Sequence, residues 1–150
     1  GEFAKSLDRV SPLTIVEAKD GDILQPGRVL IAPGNQHIEV DKRRLASVVT
    51  LSSDELVNGH RPSADVLFAS AVKQFNGNIL AVLMTGMGRD GAREIGSIRA
   101  AGGITIAQNQ ETCVVFGMPK VAIEHGYINH VAPLHEIGPL ICRLTKENHS

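Results

Sequence analysis

The chain has 150 residues, a formal net charge of −1, 43% hydrophobic and 21% charged residues, which is one domain's worth of sequence with enough apolar material for a core. That balance excludes a disordered tail, a coiled-coil rod and the basic surface that nucleic acid or an anionic membrane demands. Aromatics make up 3% with no Trp, which argues against base-stacking platforms, and no apolar run reaches the ~18 residues of a membrane-spanning helix.

Leu13-Thr14-Ile15-Val16 is a short β-rich run. Asp20-Gly21-Asp22 and Gln25-Pro26-Gly27 are turn chemistry, and Arg28–Ala32 reads as a buried strand stopped by Pro33-Gly34-Asn35. His37–Val40 and Leu45–Leu51 pair as a hairpin around Asp41–Arg44, with Lys42-Arg43-Arg44 as a solvated turn. Pro62 opens a helix. Val66, Leu67, Ala71, Val72 and Phe75 share one face of it, and Gly77 closes it. Residues 79–85 form a continuous apolar run, as suits a central parallel strand buried on both faces. Ala92–Ala101 is a helix stopped by Gly102-Gly103, and Ile104–Ala107 is the next strand. Pro119–Glu124 is a short helix, Tyr127–Val131 a last strand and Pro133–Lys146 a closing amphipathic helix. This alternation predicts a single α/β domain over residues 1–150. It has a mostly parallel sheet with helices on both faces, plus a small antiparallel hairpin. Functional groups in such sheets gather beyond the carboxyl ends of the strands.

The loop after the most apolar strand reads Thr85-Gly86-Met87-Gly88-Arg89-Asp90-Gly91-Ala92. Gly86, Gly88 and Gly91 satisfy the dinucleotide fingerprint GxGxxG in the required strand–loop–helix setting. Two features oppose a nucleotide. Asp90 places a carboxylate where phosphate would need bare amides, and the ribose-binding acid expected ~20 residues on is missing. Asp90 then reads either as a helix N-cap or as a carboxylate that orients a histidine. In the second case the backbone amides around Met87 are aimed at a developing oxyanion.

Other chemistry-bearing residues read more plainly. Cys113 and Cys142 are too few for a disulfide framework and read as reduced thiols of a cytosolic protein. No signal peptide is visible. Cys113, flanked by Val114, Val115 and Phe116, reads as core rather than as a nucleophile. Ser63 after Pro62 reads as a helix-start hydroxyl. His125, His130 and His135 recur at a spacing of five, which puts no two on one helical face, so a metal site is not expected. His37 suggests nothing specific.

Four blocks then carry a family resemblance. They are Ile31-Ala32-Pro33-Gly34-Asn35-Gln36-His37, His60-Arg61-Pro62-Ser63-Ala64-Asp65-Val66-Leu67-Phe68, the loop 85–92, and Ala107-Gln108-Asn109 with Cys113-Val114-Val115-Phe116-Gly117-Met118-Pro119. Together they resemble the catalytic domain of the chemotaxis protein-glutamate methylesterases, the CheB family. The resemblance implies a Ser-His-Asp hydrolase that cleaves glutamate methyl esters on chemoreceptors and in many cases deamidates glutamine. The family's Asp falls on Asp90 and an oxyanion amide on Met87. His60, Arg61, Gly86 and Gly88 are implied as neighbours of the site. Arg61 reads equally as a partner contact and as half of an ion pair.

The family's serine lies in a Gly-rich strand–helix turn, and its histidine in a segment ending His-Met-Pro. Neither segment is found, and residues Glu2–Val10 resemble the helix just after that histidine. The expectation is a partial domain lacking ~40–50 leading residues and inactive alone. No cofactor and no metal is implied. Partners are chemoreceptors and an upstream phosphorylatable receiver domain, with neither nucleic acid nor membrane insertion, in the cytoplasm. The alternatives are a catalytically inactive interaction module of the same fold and, further off, a nucleotide-binding domain.

Overall fold

A computed structural model of the chain describes residues 1–149, with side chains up to residue 146. It falls into two units, Gly1–Gln74 and the residues from Phe75 onward. In the first, α1 (Glu2–Val10) is tied to β1 (Thr14–Glu17) by Asp8, whose Oδ1 accepts the Ile15 N–H at 2.9 Å. Strand β1 runs parallel to β2 (Arg28–Ile31), with Thr14 opposite Arg28. The connecting segment is pinned where Asp22 Oδ2 accepts the Lys19 N–H at 2.8 Å and the Gly21 N–H donates to the Val49 carbonyl at 2.8 Å.

Strands β3 (His37–Lys42) and β4 (Ser47–Ser52) form the expected antiparallel hairpin, with His37 opposite Ser52 and Lys42 opposite Ser47. That register leaves residues 43–46 as the turn, closed by the Arg43 N–H donating to the Ala46 carbonyl at 3.0 Å. Leu45, expected in the second strand, therefore sits in the turn at 94% exposure. Helix α2 (Ala64–Phe75) is held to β3 by Ser70. Its hydroxyl accepts the Val40 N–H at 2.9 Å and donates to the Leu67 carbonyl at 2.8 Å. Ala18, Ile38 and Val49 form the core here, with Leu30, Val40 and Leu67 packed against them. Each large aliphatic buried this way contributes ~1.5–3 kcal/mol.

The second unit alternates strand and helix: β5 (Leu80–Leu83), α3 (Ala92–Ala100), β6 (Ile104–Gln108), α4 (Met118–Glu124), β7 (His130–Ala132) and α5 (Leu134–His149). The strands form a parallel sheet in the order β5-β6-β7. The parallel pairing expected from the sequence is present, divided over this sheet and the β1–β2 pair. Strand β6, not β5, takes the central place in the three-stranded sheet and is the more deeply buried. Ile106, Ala132, Ile137 and Leu144 form the core with Leu80, Val82 and Ile141 against them, while Ile95 and Ile98 of α3 are fully buried.

Strand β7 starts three residues later than the sequence suggests. Residues 127–129 are used otherwise: the Tyr127 N–H donates to the Ala122 carbonyl at 3.1 Å. Asn129 Oδ1 accepts the Thr105 N–H at 2.8 Å while the Asn129 N–H donates to Thr105 Oγ1 at 2.9 Å. The Thr105 N–H is thus taken by a side-chain oxygen instead of a backbone carbonyl, while the Asn129 N–H also reaches the Thr105 carbonyl at 3.0 Å, and the regular ladder starts only at His130.

Candidate active site

Residues 84–91 carry the chain from the carboxyl end of β5 to α3. Gly88 and Gly91 lie at φ 85° and 86°, a left-handed conformation in which a side chain would be strained. Gly91 is the N-cap of α3 and bears no side-chain cap, so Asp90, one residue earlier, is not the capping residue. Asp90 is 3% exposed, whereas Met87 in the same loop is 76% exposed. Burial of a carboxylate is costly unless it is compensated, and this one has interaction partners of its own.

A second loop, residues 109–117 after β6, supports the first. Gln108, 1% exposed, accepts the Thr85 N–H on Oε1 at 2.9 Å. Its Nε2 donates to the Thr112 carbonyl at 2.8 Å and hydroxyl at 3.2 Å. The Thr85 hydroxyl accepts the Val115 N–H at 2.9 Å and donates to the Val115 carbonyl at 3.1 Å, and the Gly86 N–H donates to the same carbonyl at 3.0 Å. The Gly86 carbonyl in turn accepts the N–H groups of Gly117 at 3.0 Å and Met118 at 2.9 Å. A Cβ on Gly117 would stand 2.8 Å from that oxygen and 2.9 Å from the Gly88 nitrogen, so only glycine lets the two loops meet this closely.

Cys113 departs from the core reading. Val114 and Val115 beside it are 90% and 43% exposed, because Val115 turns its backbone, not its side chain, toward Thr85. Partial burial pushes the Cys113 thiol above its ordinary range, and the Thr85 hydroxyl opposes part of that rise.

His60 and Arg61 belong to the first unit. The His60 and Val57 backbones exchange hydrogen bonds at 2.9 and 3.0 Å, which tightens the turn between β4 and α2. Among the described residues Arg61 pairs with no carboxylate. Its guanidinium donates to Asn35 Oδ1 at 2.8 and 3.1 Å and to the carbonyls of Ser53 and Asp54 at 3.2 and 3.1 Å. Ser63 stands just before α2, and its hydroxyl faces the Val66 N–H at 3.4 Å, as expected of a helix start. His37, 2% exposed, accepts the Ser63 N–H on Nδ1 at 3.2 Å and places Nε2 2.8 Å from the Glu55 carbonyl. With Nδ1 accepting, the ring's proton sits on Nε2 and is donated to Glu55.

The structure therefore groups Asp90, Met87, Gly86 and Gly88 in one loop, and His60 and Arg61 in another, in the other unit. Among the described residues no group of three or more His, Cys, Asp and Glu side chains is placed to hold a metal ion, and no helix is long and apolar enough to cross a membrane. Sequence reasoning gave Thr85, Gln108 and Gly117 no role of their own. The available signal was Gln108 itself, a polar residue closing the apolar strand Ile104-Thr105-Ile106-Ala107.

The family model described as CheB methylesterase matches residues 1–141. The chain is 48% identical over 145 residues to the protein-glutamate methylesterase/protein-glutamine glutaminase of Treponema pallidum (strain Nichols), covering 97% of this chain and 36% of that protein. It is 50% identical over 135 residues to the protein-glutamate methylesterase/protein-glutamine glutaminase 2 of Pseudomonas aeruginosa, covering 90% of this chain and 39% of that one. The chain thus spans less than two-fifths of the length of these curated relatives. Its structure superposes on the crystal structure of the Thermotoga maritima CheB methylesterase catalytic domain with a TM-score of 0.92 at 38% identity, covering 95% of this chain and 76% of that one.

Proposed function

The chain belongs to the CheB methylesterase family, and from that premise we propose that the full-length protein hydrolyses glutamate methyl esters on chemoreceptors, with deamidation of glutamine as a second activity. Asp90 is the acid of a Ser-His-Asp triad whose serine and histidine are supplied by residues outside this sequence. The 24% of the solved catalytic domain left uncovered supports that division. The carrying observation is Asp90 itself: a buried carboxylate in the loop beyond the carboxyl end of parallel strand β5, one residue before the cap of α3 and three after Met87.

The reaction follows from these groups. Asp90 holds the imidazole in the tautomer that accepts the serine proton and stabilises the cation that forms. The serine oxygen attacks the ester carbonyl, and the developing oxyanion takes the Met87 N–H. Collapse expels methanol, which takes the proton back from the imidazolium. Water then attacks the acyl-enzyme, again losing a proton to the histidine, and releases the glutamate carboxylate and free serine. A phosphorylatable receiver domain elsewhere in the protein and a cytoplasmic location go with the same reading.

Methanol release from methylated receptor tests it. Asp90→Asn in the full-length protein is expected to lower turnover by ~10⁴-fold. A loss below tenfold returns Asp90 to a purely structural role.

A further inference from the structure

We propose that Thr85 is a positioning residue for the oxyanion donor. The inference rests on the reading of Met87 N–H as that donor. The Gly86 carbonyl and the Met87 N–H belong to one peptide unit, and a trans peptide points them in opposite directions. The 86–87 bond is trans. Because Gly117 and Met118 both donate to the Gly86 carbonyl, the Met87 N–H is turned away from the start of α4.

The short stretch before it holds the other side of that peptide plane. The Thr85 N–H is taken by Gln108, the Thr85 hydroxyl by both backbone groups of Val115, and the Gly86 N–H by the Val115 carbonyl. Every one of these bonds ends on the 108–118 segment, so the donor is aimed by a neighbouring loop rather than by its own. The hydroxyl of Thr85 is the one side chain in the 84–88 stretch that contributes to this aim. A preorganised donor needs no reorientation as charge develops, so loosening it costs turnover more than substrate binding.

The test uses Thr85→Val, which keeps the shape and removes the hydroxyl, and Thr85→Ser, which restores it, both in the full-length protein. Thr85→Val is expected to lower kcat by about tenfold to a hundredfold with KM within about twofold, and Thr85→Ser to recover most of the loss. In the same full-length proteins, ¹⁵N relaxation is expected to show the Met87 amide more mobile in Thr85→Val than in Thr85→Ser, with α3 unchanged. If Thr85→Val does not fold, Gly117→Ala asks the same question by pushing on the Gly86 oxygen and Gly88 nitrogen. An unchanged kcat in Thr85→Val while Asp90→Asn is inactive overturns the inference and spares the triad. An unchanged Met87 amide overturns it whatever the activity. A wild-type protein without esterase activity overturns the proposed function instead, and the amide measurement still judges the positioning.

Discussion

Cys113 and Cys142 are both free thiols, but their surroundings set them apart. Cys142 is exposed on α5, while Cys113 is half-buried with its Sγ 3.9 Å from the Gln108 carbonyl. The thiolate is the reactive form, and burial raises the Cys113 pKa, so less of it is ionised at neutral pH. Iodoacetamide at neutral pH is expected to label Cys142 first. Labelling of Cys113 should climb only as pH passes the ordinary thiol value of about 8.5, and mass spectrometry of the two peptides separates the sites. Equal rates at neutral pH would contradict this ordering. At the same scale, His37 shows why some roles stay hidden in a sequence. Its two partners, Ser63 and Glu55, lie 26 and 18 residues away, and no local spacing announces them. Asp90 stands out in the sequence because a charged residue inside a glycine fingerprint conflicts with the obvious reading of that fingerprint.

At the scale of elements, α3 depends on a residue that helices disfavour. A Cβ on Gly96 would lie 2.7–2.9 Å from the Tyr127 ring, so the missing side chain makes room for the segment that follows α4. Gly96→Ala gains about 1 kcal/mol of helix propensity but forces the ring aside at about 1–3 kcal/mol. The expected net result is destabilisation in urea unfolding. Tyr127→Leu in the same chain should relieve it, leaving the pair less destabilised than the sum of the singles. The helices are legible in the sequence because their apolar spacing and glycine stops are local signals. The start of β7 is hidden because the Asn129 side chain takes the Thr105 N–H across 24 residues, and the hairpin turn because Leu45 looks like strand material yet sits opposite nothing.

At the scale of the molecule, the proposed reaction divides the catalytic groups between this chain and residues beyond it. The 150 residues alone are therefore expected to show no turnover of a glutamate methyl ester. Measurable hydrolysis by the purified chain, abolished by Asp90→Ala, would refute that division. The architecture was legible because strand–helix alternation admits few topologies, and four motif blocks spread over residues 31–119 marked the family. The main-chain geometry around Gly86 was not, since sequence pattern carries no record of which carbonyl faces which amide. That geometry has a thermodynamic corollary. Binding couplings are reciprocal, and the Gly86 carbonyl links the Met87 peptide to the first turn of α4. An inhibitor that grips the Met87 amide must therefore make that turn harder to open, and whatever unravels the turn must weaken the inhibitor by the same factor.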